Sequence, residues 1–211
     1  DAAEAVLAVK SVLVDLNDAA ATLPNSYNSV ENITPLETPL SSTINGAALA
    51  TPVFLSLYAE NDLRLDKYFA ETDEKGFRKN KKAGSNNYLC TFRVGEIYLT
   101  AAEAAARLGE LSQARTRLLE LMRKRYAPEA YEAKSIAVNA MDKEALVQEI
   151  LDERARELAF EGHRWFDLRR STRPRLEKVL DGTRYVLEEN DARYTLAIPK
   201  EAIEANPGLL N

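Results

Sequence analysis

Three glutamates, Glu153, Glu157 and Glu161, recur every fourth residue in ILDERARELAFEGHRWFDLRR (150–170). Glycoside hydrolysis draws its acid and its base from clustered carboxylates, so a carbohydrate-active enzyme is the first chemistry to weigh. That reaction needs two carboxyls facing each other across a cleft, whereas residues at i, i+4 and i+8 share one helix face. Arg154, Arg156 and Arg164 are interleaved with them. Such pairing keeps carboxylates ionised and works against raising one of them for acid duty. The reading taken is structural: Arg154, Glu157, Glu161, Arg164, Trp165 and Asp167 hold this helix to its neighbours. His163 adjoins the same charges, but no Ser, Thr or Cys stands in a recognisable nucleophile context, so a half-exposed structural histidine is expected. One Cys, Cys90, and one His leave no internal disulfide, zinc cluster or paired-histidine site. No catalytic residue, metal or cofactor is expected.

Aromatic residues outside the helices offer a second chemistry. Tyr27, Tyr58, Phe77 and Tyr88 lie in or beside loops flanked by Asn, Asp, Ser and Arg. Rings of this kind stack on a sugar while neighbouring amides and carboxylates bond its hydroxyls. These four are the candidate ligand-binding residues. The competing reading is that Tyr58 and Tyr88 pack at the ends of elements.

The elements that position these residues are mostly helical. With 211 residues, 45% hydrophobic and 29% charged, the chain has room for one domain and a core that needs no disulfides. Val6, Val9, Leu13, Leu16 and Ala20 are spaced as an amphipathic helix over 3–22, stopped by Pro24. Residues 25–90 are rich in loops, with one short strand expected at 53–58 and a short helix at 62–71. The cluster Arg78, Lys79, Lys81 and Lys82 reads as a solvated loop tip.

The strongest pattern is a helical hairpin over 92–126. Val94, Ile97, Tyr98, Ala101, Ala105 and Leu108 form one stripe, Gly109 supplies a left-handed stop, and Ser112 can cap a second helix carrying Ala114, Leu118, Leu121 and Met122. The order Gly109, Ala114, Leu118 follows tetratricopeptide spacing, though hairpins with a glycine turn also occur outside such repeats. Asp142 can cap a further helix to Phe160, with Leu146, Ile150, Ala155 and Leu158 inward. Trp165, Phe166 and Leu168 need a core. TRYVLEE (183–189) and RYTLAIP (193–199) look strand-like, and KEAIEAN (200–206) reads as a turn of helix. The fold class expected is mainly α: tetratricopeptide-like hairpins, long loops, and a small C-terminal strand pair in the region 142–211.

Net charge is -5, from 28 basic and 33 acidic residues, so no global positive field gathers nucleic acid. No uninterrupted apolar run approaches a membrane span, and DAAEAVLAVK lacks the basic-then-apolar order of a secretion signal.

Residues 150–170 closely resemble the signature of the SusD/RagB family, surface lipoproteins of Bacteroidetes that capture glycans or other nutrients for TonB-dependent transporters. Further pieces follow in the family's order. NDLRLDKYF (61–69) resembles its Asn-Asp-x-Arg segment, residues 93–125 its tetratricopeptide hairpin, and YTLAIPKEAIEANPGLLN (194–211) its closing strand and Asn-Pro ending. VLVDLNDAAATLP (12–24) is similar to an upstream helix. Between this Leu-Pro and the Asn-Asp-x-Arg piece the family carries a further helical pair and a loop-rich region, so the chain resembles a shortened member, read here as a single SusD-like domain over 1–211. The resemblance implies non-catalytic binding of an oligosaccharide or other nutrient, a SusC-like TonB-dependent transporter as partner, and an outer-membrane, cell-surface, lipid-anchored precursor whose anchor is not in these residues. Two other classes stay open: a tetratricopeptide-type protein-interaction module and, further off, a glycoside hydrolase.

Overall fold

The computed structural model describes residues 2–36, 49–82, 90–180, 182–206 and 208. It divides into two compact units, 1–163 and 164–211, taken here in turn.

The first unit is organised by the helical hairpin. Helices α4 (Val94–Leu108) and α5 (Leu111–Met122) pack along Val94, Leu99, Ala102 and Ala106 on one side and Ala114, Leu118, Leu121 and Met122 on the other, all fully buried. The small alanines let the two backbones approach closely. Leu108, expected inward, is 76% exposed, because it is the last residue of its helix at the hairpin turn. Gly109 takes φ +88°, and its N–H reaches the carbonyls of Ala105 and Ala106. This left-handed cap is one that a side chain disfavours. The turn is so tight that α5 starts behind Glu110, one residue before the expected cap Ser112, and no side chain caps it.

Before the hairpin lie α1 (Ala2–Val9), β1 (Asn32–Leu36), β2 (Leu49–Ala50), α2 (Pro52–Leu55), α3 (Arg64–Tyr68), β3 (Phe69–Thr72), β4 (Arg78–Asn80) and β5 (Cys90–Arg93). The helix expected over 3–22 stops at Val9, itself 90% exposed. Beyond it the chain is captured by other partners. The Val14 N–H donates to Glu31 Oε1 (2.9 Å), Arg125 Nη1 donates to the Val14 carbonyl (2.6 Å), and the Leu16 N–H donates to the Lys124 carbonyl (2.9 Å). The strand expected at 53–58 is instead α2. Pro52 sits at its first position, where a missing N–H costs nothing, and the Thr51 side chain accepts from the Phe54 N–H. The helix expected over 62–71 is cut to α3 and runs straight into β3. Strands β2, β4 and β3 form one antiparallel sheet in that order, and β1 pairs antiparallel with β5.

After the hairpin come α6 (Pro128–Ala140) and α7 (Lys143–Glu157). The sequence reading had no element at α6, whose weak amphipathicity leaves Val138 as its buried residue. Asp142 caps α7 as expected, accepting from the Ala145 N–H (2.9 Å), and Leu146, Ile150, Ala155 and Leu158 face inward. One apolar core joins α4, α5 and α7, while a second gathers Val14, Leu16, Tyr58, Tyr68, Phe69 and Ala159.

In the second unit, α8 (Arg164–Arg170) places Trp165 flat against Tyr194, with ring centroids 5.1 Å apart and planes at 15°. Phe166, expected in a core, is 62% exposed. The strand pair is β6 (Leu176–Leu180) with β7 (Thr183–Leu187), paired from Leu176↔Leu187 to Leu180↔Thr183. The expected second strand at 193–199 is a 3-10 turn, Ala192–Tyr194, followed by irregular chain, held where Asp191 accepts from the Arg193 N–H. Helix α9 (Lys200–Ala205) closes the described chain. No helix among the described residues is long and apolar enough to cross a membrane.

Two substitutions test the hairpin. Leu118→Ala is expected to cost about 3 kcal/mol, because a fully buried leucine leaves a cavity. Gly109→Ala should cost about 1 kcal/mol through its positive φ alone, since nothing lies within 4 Å of an added methyl. Urea unfolding of both variants reads these differences.

Candidate functional site

The three glutamates of the signature segment do not open onto a cleft. Glu153 and Glu157 are fully buried and Glu161 nearly so, inside a cluster of buried arginines. Glu157 is its centre. Its carboxylate accepts from Arg93 Nη1 (2.7 Å), Arg125 Nε (2.9 Å) and Nη2 (3.0 Å), and Arg64 Nη1 (3.2 Å). Each arginine comes from a different part of the chain. Arg64 opens α3, Arg93 ends β5 just before the hairpin, and Arg125 follows α5.

The remaining bonds complete the set. Arg64 is held two-pronged by Asp62 (2.9 and 2.8 Å) and also reaches Glu153 (2.6 Å). Arg93 and Arg125 share Glu31 at 3.1 and 2.6 Å, and Arg93 forks onto Glu161 at 2.9 Å from both Nε and Nη2. Arg156 pairs with Glu153, and Lys82 pairs with Glu161 while donating to the Glu157 carbonyl (2.9 Å). Arg64, Arg93, Arg125, Arg156 and Lys82 are thus balanced by Asp62, Glu31, Glu153, Glu157 and Glu161. Balance matters because an unpaired charge this deep costs several kcal/mol.

The electrostatics follow. Burial opposes ionisation of each carboxylate, but the surrounding guanidiniums overcome it. Glu157 is held well below the ordinary carboxylate range by Arg125, Arg93 and Arg64, Glu161 is lowered by Arg93 and Lys82, and Glu153 is lowered to about 2 by Arg64 and Arg156. Groups held as charged acceptors do not serve as proton donors. Lys82 goes the other way, because burial outweighs Glu161 and pushes it down to about 8. The loop-tip reading of the basic cluster therefore fails at Lys82, which is buried with its ammonium 4.4 Å from the Tyr68 ring centroid. Arg78, Lys79 and Lys81 stay at or near the surface.

Gly95 shows how tightly the cluster is enclosed. A Cβ there would collide with Arg93 Nη1 and sit 3.0 Å from Glu31 Oε2 and 3.2 Å from Glu157 Oε1. The glycine in RVGEIYL is therefore a clearance for the guanidinium, inside a helix where alanine is otherwise favoured.

The other signature residues stand as follows. Arg154 is buried and directs Nη1 to Thr100 Oγ1 at 3.4 Å. His163 is half-exposed, with Nδ1 3.5 Å from Glu96. In the second unit Asp167 is buried and accepts from Arg170 (3.0 and 2.7 Å), Trp165 is half-buried on Tyr194, and Arg164 is exposed at the start of α8.

The candidate ligand residues occupy different settings. Tyr58 is 6% exposed, its hydroxyl donates to the Arg156 carbonyl (2.8 Å), and its ring meets Phe54 and Phe69 edge-on. That matches the packing alternative weighed for it. Tyr27 is 49% exposed and Phe77 is half-buried in the β3–β4 turn. Tyr88 lies outside the described residues. The sequence reading missed Glu31, Asp62, Arg64, Lys82, Arg93 and Arg125.

The pattern of the SusD family matches residues 48–211. The chain belongs to the SusD family. No curated protein shows a significant match. Among solved structures, a SusD superfamily protein from Bacteroides thetaiotaomicron aligns with 98% of this chain at TM-score 0.70 and 22% identity. A SusD-like carbohydrate binding protein from Bacteroides vulgatus aligns with 97% at TM-score 0.67 and 17% identity. The chain spans about half of each, 54% and 53%. At these identities the likeness is one of fold. The matched region includes α7 and the turn after it, whose glutamates close the buried cluster.

Three outcomes test the cluster. Glu157→Gln is expected to cost about 3–5 kcal/mol, since it leaves one buried positive charge of the cluster uncompensated, and urea unfolding reads it. Gly95→Ala should destabilise by about 1–3 kcal/mol, opposite to the usual effect of alanine in a helix. For pH, the unfolded carboxylates take up protons first, so stability falls as pH drops below about 4.5. Glu153 alone, held at about 2, contributes about 3 kcal/mol that is present above 4.5 and lost by 2. Lys82 contributes a slope of the same sign in a higher window, because the unfolded chain holds its proton more tightly between about 8 and 10.5 and stability rises with pH there.

Proposed function

We propose that the chain is the tetratricopeptide-like scaffold portion of a surface nutrient-binding protein that captures glycan without turnover and passes it to a SusC-like TonB-dependent outer-membrane transporter. The observation that carries this reading is membership of the SusD family over 48–211, joined to a fold shared with a protein described as carbohydrate binding. The chemistry of the three regularly spaced glutamates is consistent with it. Glu153, Glu157 and Glu161 are committed as charged acceptors inside the protein, so hydrolysis would have to use other acids.

Capture would then rest on rings and hydrogen-bonding groups at the surface. Of the four aromatic candidates Tyr27 is exposed and Phe77 half-buried, and loops 25–60 and 72–90, which lie partly outside the described residues, would contribute to the site. Tyr58 would support the site from the core. The precursor would be lipid-anchored at the cell surface, with the hairpin face turned to the transporter. No nucleic acid takes part.

A glycan array followed by isothermal titration on its hits tests this. The expected result is saturable binding of at least one oligosaccharide with the bound sugar recovered intact. Capture of a protein partner with no glycan bound would favour the interaction-module reading. Release of shortened sugar, abolished by one carboxylate substitution, would establish a hydrolase instead.

A further inference from the structure

We propose that the groove between α3 and the β3–β4 pair is a subsite for one neutral sugar unit with neighbouring hydroxyls. The inference rests on the glycan-binding reading and adds to it a place and a ligand class. The groove encloses about 410 Å³, lined by Asp66, Phe69, Glu71, Thr72, Arg78 and Lys81 among others. That is near the lower end of the range of about 300–1,000 Å³ usual for small-molecule sites.

Its shape has a local cause. The register of β3 against β4 shifts between Phe69 and Thr72, and such a bulge re-aims side chains and opens the strand surface. Its polar groups are pre-oriented by the protein. Arg78 Nε donates to Thr72 Oγ1 (3.0 Å), while Nη1 donates to Asp66 Oδ1 (2.9 Å) and to the Leu65 carbonyl (3.1 Å). Lys81 Nζ donates to the Asp66 carbonyl (2.7 Å). The guanidinium plane is therefore fixed before any ligand arrives, which lowers the ordering cost of binding.

The chemistry selects the ligand. A hydroxyl donates and accepts at once, so two adjacent hydroxyls need a carboxylate and a cation side by side. Asp66 and Arg78 supply that pair, and the Asp66 side chain is 88% exposed, leaving acceptor capacity toward solvent. Two carboxylates and two cations line the groove, so its field is near neutral and favours neither a uronate nor an amino sugar. Phe69 beneath the groove is buried, its ring packed against Phe54, Tyr58 and Phe160, so the groove offers a sugar polar contacts rather than a stacking face.

Titration calorimetry with maltohexaose, cellohexaose, mannohexaose and hexagalacturonate tests the inference, on wild type and on Asp66→Asn and Thr72→Val. Both side chains are exposed, so thermal melts should be unchanged. The expected result is binding of at least one neutral hexasaccharide and not of hexagalacturonate, weakened about tenfold or more by Asp66→Asn and less by Thr72→Val, the scale of one lost charge-assisted hydrogen bond. Amide shifts of Thr72, Arg78 and Lys81 on adding that sugar would accompany it. A neutral sugar bound with wild-type affinity by both variants, with those amides unmoved, overturns the groove and leaves glycan binding standing. Binding of hexagalacturonate alone overturns the neutral class. Binding of none of the four overturns the neutral-sugar groove, and the glycan array decides separately whether the reading beneath it stands.

Discussion

One carboxylate, Glu157, sets the terms for the first unit. It accepts bonds from Arg64, Arg93 and Arg125, which belong to segments far apart in sequence, and none of the four side chains reaches water. Four buried charges of this kind are tolerable only together. Remove one and the cluster holds an uncompensated buried charge at a cost of several kcal/mol; supply all of them and the loops, the hairpin and α7 have one mutual arrangement. Replacing such a cluster by apolar groups can match its stability, so the number of buried ion pairs is not by itself a measure of strength.

This bears on function through rigidity. The groove on β3 and β4 and the Phe77 turn hang from α3, and α3 is pinned by Arg64 to Glu153 and Glu157. Lys82, just past β4, ties the far end of the same strand pair to Glu161. The short strands and turns gain a fixed frame this way, and a fixed frame is what the proposed sugar subsite would require. Glu153, Glu157 and Glu161, themselves buried, thus fix where the side chains of this strand pair stand.

Much of the fold was legible in the sequence because the hairpin obeys simple rules. The stripe from Val94 to Ala105, the Gly109 stop and the Asp142 cap each follow from local chemistry, and each is present. The misses share a physical cause. The first helix ends early because Glu31 and Arg125 bind the backbone at Val14, a contact no local pattern announces. The strand pair was displaced toward 193–199 because β-branched and aromatic content marks strand propensity and not pairing, whereas β7 found its partner in LEKVL (176–180), a segment mixed with charge. The structural role of Glu153, Glu157 and Glu161 was readable from the interleaved arginines within one helix. Their true partners, Arg64, Arg93, Arg125 and Lys82, lie 32 to 93 residues away and needed the fold. Lys82 was hidden among three basic neighbours that remain at or near the surface. The ligand residues were the least legible, since a loop aromatic looks the same in sequence whether it packs, as Tyr58 does, or faces solvent, as Tyr27 does.

The most direct test of the account is the side-chain carboxyl carbon shift of Glu157, followed by NMR as pH is lowered on the folded protein. With three guanidiniums around it, Glu157 is expected to stay ionised through its ordinary value of 4.5 and to lose its charge only as the protein unfolds. A carboxyl that titrates near 4.5 while the fold persists would contradict the claim that this residue organises the structure.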